Sequence, residues 1–249
     1  MWESEIVVIV AATFLLAGFV KGVIGLGLPT VSLGLLTAAL GLKDAIALML
    51  IPSFATNLWQ ALAGKETLSI LKRIWTLLLA ACVTIWIGSL FLARSDGILL
   101  SGLLGLSLCA YATFSLATPQ IPPPGKREVW LSPAVGTANG VLTGLTGSFV
   151  VPGVPYLQAL GMPRNDFVQA MGILFTVSTV ALGVAMAGHN LLPKELSLLS
   201  AAALIPAFAG MAIGQWVRGK LSESSFRRVF FGSVLVLGVY IMIRAIMRA

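Results

Sequence analysis

The chain has 249 residues, of which 58% are apolar and 10% charged, and its mean hydropathy is +0.98. A soluble globule of this length cannot enclose so much apolar side chain, so the composition excludes a soluble fold and indicates an integral membrane protein. The net charge of +7 comes from lysines and arginines scattered through short loops, which favours a lipid bilayer as partner and argues against nucleic acid.

Nine charge-free runs follow one another along the chain, and several reach the roughly 20 residues that a helix needs to cross the hydrocarbon core. They cover residues 6–20, 22–42, 45–63, 74–93, 97–124, 129–163, 167–188, 196–217 and 229–243. The runs are continuous rather than alternating, which predicts α-helices and not the strands of a barrel. The expected fold class is therefore an all-α, multi-pass helical bundle.

The first helical region is interrupted by KGVIGLGLP at residues 21–29. Glycines here free backbone N–H and C=O groups, which hydrocarbon tolerates only where they face protein, a polar cavity or a ligand. Pro29 suits the first turn of a new helix beginning near Leu28, whose positive dipole end would point back into the break and favour an anion. The predicted substrate-binding residues of this break are Lys21, Gly22, Gly25 and Gly27.

Two alternatives remain open for this break. Glycines in membrane helices also serve close helix packing, and this is the commoner role of an isolated pair. Lys21 either snorkels to a membrane interface or faces a cavity, where it would supply a fixed positive charge.

The run at residues 45–63 carries polar side chains on one helical face. Ser53, Thr56, Asn57 and Gln60 follow the spacing i, i+3, i+4, i+7. Such neutral groups can bind a small oxyanion without holding it too tightly to release. Hydrogen bonds between helices are an equally weighted alternative for each residue. We assign Thr56, Asn57 and Gln60 to the predicted site.

The proline-rich, basic segment TPQIPPPGKRE cannot continue a helix and marks a joint at residues 118–128. Beyond it the chain repeats itself, since Gly22 and Gly25 recur 122 positions later as Gly144 and Gly147. We predict a first membrane repeat at 1–117, a linker at 118–128 and a second repeat at 129–249. Each repeat would hold a Gly-broken short helix pair, spanning or re-entrant, followed by three transmembrane helices.

An odd number of crossings in each repeat implies that the second is inverted relative to the first, so that the two breaks would meet near the bilayer midplane. The second break, TGLTGSFVVPGVP at residues 143–155, has hydroxyls beside its glycines. The helix at 167–188 repeats the polar face with Gln169, Gly172, Thr176, Thr179 and Gly183. The predicted site residues of this half are Thr143, Gly144, Thr146, Gly147, Ser148, Gln169 and Thr176.

Other chemistries find little support in the sequence. The chain has one histidine, His189, and no pair of carboxylates within a run, which argues against a metal centre and acid–base catalysis. Cys82 and Cys109 lie inside apolar runs, where packing is the expected role. No nucleotide-binding loop is present. We therefore predict neither an enzyme, nor a metal, nor a cofactor.

The two halves resemble the sulfite exporter TauE/SafE family of membrane permeases. The likeness lies in GFVKGVIGLGLPTVSLGLLTAALGLKDAIAL and GVLTGLTGSFVVPGVPYLQALGMPRNDFVQA, and it covers essentially the whole chain. In both, a glycine-rich break leads to a short apolar helix and then to a Leu-Gly step before a polar helix start.

The resemblance implies a secondary transporter in a bacterial cytoplasmic membrane. It would export a small sulfur-containing anion, such as sulfite, a sulfonate or thiosulfate. Two inverted repeats around a midplane site predict transport by alternating access. A gated anion channel and a non-transporting membrane subunit of sulfur metabolism remain alternatives. The oligomeric state is open, a homo-oligomer included.

Overall fold

The computed structural model describes residues 4–117 and 121–248, apart from the side chain of Glu223, and its regular elements are all helical. This confirms the all-α prediction; residues 118–120 of the predicted linker lie outside the described residues. The helices are α1 Ser4–Ile24, α2 Leu28–Leu40, α3 Leu42–Leu62, α4 Thr67–Arg94, α5 Ile98–Ala117, α6 Glu128–Thr146, α7 Gly153–Ala159, α8 Arg164–Gly188, α9 Lys194–Ala202, α10 Leu204–Arg218 and α11 Glu223–Arg248, with a 3₁₀ turn at Gly125–Arg127.

Seven segments of the described chain are long and apolar enough to cross a membrane, which confirms a multi-pass membrane protein. They are α1, α3, α4, α5, α8, α11 and the stretch Lys194–Arg218, which contains α9 and α10. The first span is longer than its charge-free run, because Lys21 stays within α1. The run at 196–217 is interrupted at Ala203, between α9 and α10.

The helices form two compact units. Unit 1 comprises Met1–Pro52, Asp96–Thr118 and Leu192–Ala249, and unit 2 comprises Ser53–Ser95 and Pro119–Leu191. Each unit therefore combines helices from both predicted repeats, and α3 passes from one unit to the other after Pro52.

Unit 1 is built around the close contact of α1 with α10. A Cβ added at Gly22 would lie 2.9 Å from the Cα of Gly214, and still nearer to the carbonyl oxygen of Met211. Gly18 faces the backbone of Ala207 in the same way. Only glycine lets two helix backbones approach this closely, which is the typical use of small residues between membrane helices.

Unit 2 repeats this contact with α6 and α4. A Cβ added at Gly144 would lie 2.8 Å from the Cα of Gly88, and still nearer to the carbonyl oxygen of Ile85. Gly140 meets the backbone of Ala81 one turn away. These glycines of α6 follow those of α1 by 122 positions, and their partners in α4 precede the corresponding residues of α10 by 126. The same packing motif thus occurs once in each unit.

In unit 1, a serine hydrogen-bonds to the backbone of α3 where Pro52 removes a helical hydrogen bond. Pro52 has no N–H, so the carbonyl of Leu48 cannot receive its helical hydrogen bond. The buried Ser200 hydroxyl, from α9, donates to Leu48 O at 2.7 Å and accepts from the Ile51 N–H at 3.3 Å. A side chain therefore satisfies a backbone group that hydrocarbon would leave unpaired.

Candidate functional site

The first break lies between α1 and α2 in unit 1. Gly25 and Gly27 have φ angles of 79° and 106°, in the left-handed region that favours glycine. Helix α2 begins at Leu28 with Pro29 in its first turn, which confirms the predicted helix start. No side chain in the described part of the chain caps this N-terminus, so its first backbone N–H groups point into the break, where the helix dipole favours negative charge.

Lys21 lies one turn before the break and is enclosed by protein. The residue is only 5% exposed to solvent. Its backbone carbonyl accepts a hydrogen bond from the Gly25 N–H at 2.8 Å. A snorkelling lysine would expose its ammonium group at the surface. The burial therefore favours the interpretation that Lys21 faces the interior, and its contact with substrate stays a prediction.

The predicted glycines divide into two structural classes. Gly22 and Gly144 allow close helix packing, the alternative that the sequence left open. Gly25, Gly27 and Gly147 have positive φ angles and end or redirect the helices. Substrate contact by any of the five stays a prediction.

The second break lies between α6 and α7 in unit 2 and is braced by its own hydroxyls. Thr143 Oγ1 donates to Ser148 O at 3.0 Å. Thr146 Oγ1 donates to Leu142 O at 2.7 Å and accepts from the Ser148 N–H at 3.2 Å. Thr143, Thr146 and Ser148 are all buried. The hydroxyls of Thr143 and Thr146 therefore hold the loop in shape, and contact of Thr143, Thr146 and Ser148 with an anion stays a prediction.

Asn139 is a part of this break that the sequence reasoning missed. Its Oδ1 accepts the backbone N–H of Gly153, the first residue of α7, at 3.0 Å. A Cβ at Gly153 would lie 2.7 Å from Asn139 Oδ1 and 2.9 Å from Leu174 Cδ2, so the start of α7 fits tightly against α6 and α8. The available signal was spacing, since Asn139, Thr143 and Thr146 follow i, i+4, i+7 along α6.

Two predicted glutamines brace α3 and α8 reciprocally in unit 2. Gln60 Nε2 donates to Val168 O at 2.7 Å, and Gln169 Nε2 donates to Ala61 O at 2.9 Å. Gln169 Oε1 also accepts the Glu66 N–H at 3.3 Å. Both side chains thus hold protein groups, as the interhelical alternative predicts, and their contact with substrate stays a prediction.

The polar faces of α3 and α8 point into the protein. Ser53, Thr56 and Asn57 are each 0% exposed, so the predicted face is buried. On α8, Thr176 is half-buried, and its hydroxyl donates to Gly172 O of the same helix at 2.7 Å. The second break reaches α8 next to Thr176, where the rings of Phe149 and Phe175 lie 5.9 Å apart.

Unit 2 also contains buried polar groups without a hydrogen-bond partner among the described residues. Among them are the hydroxyls of Ser53 and Ser178, the amide nitrogen of Asn139 and the Nε2 atom of His189. Each such group costs about 1–3 kcal/mol when it is left unsatisfied. Asn139 lies at the second break, where such a group is typical of a site that a ligand or water completes.

Arginines hold the carboxyl ends of both short helices. Arg73 Nη2 donates to the carbonyl of Leu160, at the end of α7, at 3.2 Å, and forms a two-pronged ion pair with Glu128 at 2.8 and 3.0 Å. In unit 1, Arg244 donates to the carbonyl of Ala38 near the end of α2. A cation at this position satisfies a helix-end carbonyl and complements the helix dipole. The short helices are thus fixed at the end opposite their break.

The Arg244→Gln variant is expected to loosen the end of α2. A charge-assisted hydrogen bond contributes about 1.5–3 kcal/mol, so amide exchange in residues 36–41 should accelerate about tenfold or more. Hydrogen–deuterium exchange of the purified protein measures this change. Arg248→Gln, one turn further along α11, is the matched control and should leave exchange in α2 as in the wild type. Equal exchange in α2 for the wild type and Arg244→Gln would contradict the assigned role.

In the comparison with protein families, the chain matches the family described as Sulfite exporter TauE/SafE over residues 10–241. The matched range contains both glycine breaks and both short helices. Neither the curated proteins nor the solved structures contain a match to the chain.

Proposed function

Since the chain belongs to the sulfite exporter TauE/SafE family, we propose that it is a secondary transporter that exports a small sulfur-containing anion. Sulfite, a sulfonate and thiosulfate are the candidate substrates, and a bacterial cytoplasmic membrane is the proposed location. The observation that carries the proposal is the family match across both breaks. A negative-inside potential would favour outward movement of the anion by about 2.3 kcal/mol per charge per 100 mV.

Unit 1 supplies positive charge to the proposed transport. The uncapped start of α2 and the buried Lys21 both favour an anion beside Gly25 and Gly27. Helix α2 has 13 residues and is about 20 Å long, which is less than the roughly 30 Å of the hydrocarbon core. With its far end at the membrane surface, an anion at this break would bind below that surface.

Unit 2 supplies neutral donors in the same proposal. Thr143 and Thr146 lie beside the second break, and the unpartnered amide nitrogen of Asn139 offers a further hydrogen bond. Neutral donors bind an oxyanion less tightly than a fixed charge does. Such a site can release its anion in each transport cycle.

We also propose that the two repeats are inverted and that transport proceeds by alternating access. The support is the recurrence of one packing motif, since the contact of α1 with α10 in unit 1 corresponds residue for residue to that of α6 with α4 in unit 2. Under this interpretation each unit receives the first helix of one repeat and the fourth membrane segment of the other.

Reconstitution into liposomes tests the proposed function. Uptake and counterflow are measured with sulfite, sulfoacetate, taurine, thiosulfate and sulfate, using protein-free liposomes as the control. We expect flux of at least one sulfur-containing anion that saturates with concentration and is accelerated by the same anion on the opposite side. Flux that neither saturates nor shows counterflow would indicate a channel. No flux above the control for any of these compounds would overturn the proposal.

A further inference from the structure

An apolar groove runs along α11 in unit 1, where α1 and α2 form its other walls. It encloses about 270 Å³. Ser233 is the one hydroxyl-bearing residue among the side chains that line it, and its hydroxyl donates to Val229 O of its own helix at 2.9 Å. The groove therefore offers no unpaired polar group to a ligand and matches a hydrocarbon chain. Its walls include Leu16, Phe19, Val31, Leu35, Phe226 and Phe230.

Positive charge collects where this groove ends. Phe226 lines the groove, and Arg227 and Arg228 follow it directly in α11. The preceding turn adds Arg218 and Lys220, so residues 218–228 contain four cations and a single acidic residue. Arg218, Lys220 and Arg228 are exposed, and the Arg227 guanidinium lies 5.8 Å from the Phe231 ring. Arg227 and Arg228 therefore lie at the end of the groove that Phe226 forms, and Arg218 and Lys220 precede the start of α11 at that end.

Trp216 indicates that this end lies at the membrane surface. Trp216 is 70% exposed, and the Lys220 ammonium lies 3.9 Å from the centroid of its ring. Exposed tryptophans at the ends of membrane helices typically sit at the level of lipid headgroups. A cation stacked on such a ring is held at that same level.

We propose that the groove and the basic cluster at 218–228 together bind one anionic phospholipid. Its phosphate lies against the four cations, and one acyl chain lies along α11 in the groove. Basic clusters beside membrane helices attract anionic headgroups, and the apolar groove explains why a lipid fits better than a soluble anion. This inference is independent of the transported substrate.

Native mass spectrometry of the full chain in detergent tests the charge half of the proposal. Phosphatidylglycerol and phosphatidylcholine with identical acyl chains are compared, and the wild type is expected to retain the former preferentially. A variant with Arg218, Lys220, Arg227 and Arg228 all replaced by glutamine should lose about tenfold or more of that preference. The matched control replaces Lys65, Lys72, Lys126 and Arg127 of unit 2 by glutamine and should keep it. Equal binding of both lipids by the wild type, or an unchanged preference in the 218–228 variant, would overturn the proposal.

A second variant tests whether the acyl chain lies in the groove. Ser233→Leu fills the groove without removing a hydrogen bond to another helix, so retention of both lipids should fall several-fold while the preference for phosphatidylglycerol remains. Unchanged retention would overturn the placement of the acyl chain. Glycerol phosphate is added as a competitor, and displacement of the lipid at equal concentration would instead indicate a site for soluble anions. Gel filtration verifies that each variant stays folded.

Discussion

Replacing Gly22 or Gly144 by leucine is expected to leave little folded protein in detergent extracts of the membrane. Even a Cβ atom at these positions would lie 2.9 Å from Gly214 Cα or 2.8 Å from Gly88 Cα, and nearer still to a carbonyl oxygen. The opposing atoms belong to helix backbones, which cannot turn aside as the end of a side chain can. Alanine alone should cost about 1–3 kcal/mol, and leucine considerably more.

Size-exclusion profiles and thermal unfolding in detergent measure this effect. Gly232→Ala is the matched control, because Gly232 is also helical but a Cβ there would meet nothing within 4 Å. This control should be neutral or more stable by up to about 1 kcal/mol, since alanine is the better helix former. A melting temperature of Gly22→Ala equal to that of the wild type would contradict the packing role.

The two classes of glycine show how far the sequence reaches. Pro29 fixes where α2 begins, because its ring restricts φ and removes a donor locally, and the structure confirms that start. Local sequence does not show that Gly22 packs against another helix whereas Gly25 ends α1. The packing role of Gly22 depends on α10, whose Gly214 lies 192 positions further along the chain, and no local pattern identifies that partner.

The polar faces of α3 and α6 also divide into features that local spacing predicts and contacts that it does not. Helical periodicity places Thr56 and Asn57 on one face of α3, since it depends only on neighbours along one helix, and the structure shows that both residues are buried. Periodicity does not reveal that Gln60 is hydrogen-bonded to Val168, 108 positions away. Asn139 was missed because its partner, Gly153, approaches only after the chain reverses at the break.

The predicted repeats and the compact units divide the chain differently. Repeats at 1–117 and 129–249 are defined by sequence similarity and stay a prediction about ancestry and topology. Compact units are defined by contact, and they pair α1 with α10 and α6 with α4. Apolar composition does not specify which helices pack together, so hydropathy cannot predict that helices of one repeat pack against helices of the other.

Lys21→Met is expected to reduce anion flux in liposomes about tenfold or more, while the protein remains folded. Methionine keeps the length and apolar stem of the buried lysine and removes its charge, so packing around α1 changes little. Losing the proposed fixed charge beside the break would remove attraction for the anion at its bound position. Lys21→Arg retains the charge and is the matched control, which should transport better than Lys21→Met.

Two neutral variants test the predicted site residues of unit 2. Asn57→Ala and Thr146→Ala each remove polar groups from buried positions, and each should raise the half-saturating anion concentration without abolishing flux. Lys21 has no charged counterpart, since Thr143 occupies the equivalent place 122 positions later. A larger effect at Lys21 than at either neutral residue would follow from this asymmetry. If all three variants transport like the wild type, the substrate lies elsewhere, and the breaks serve only the packing and the shape of the helices.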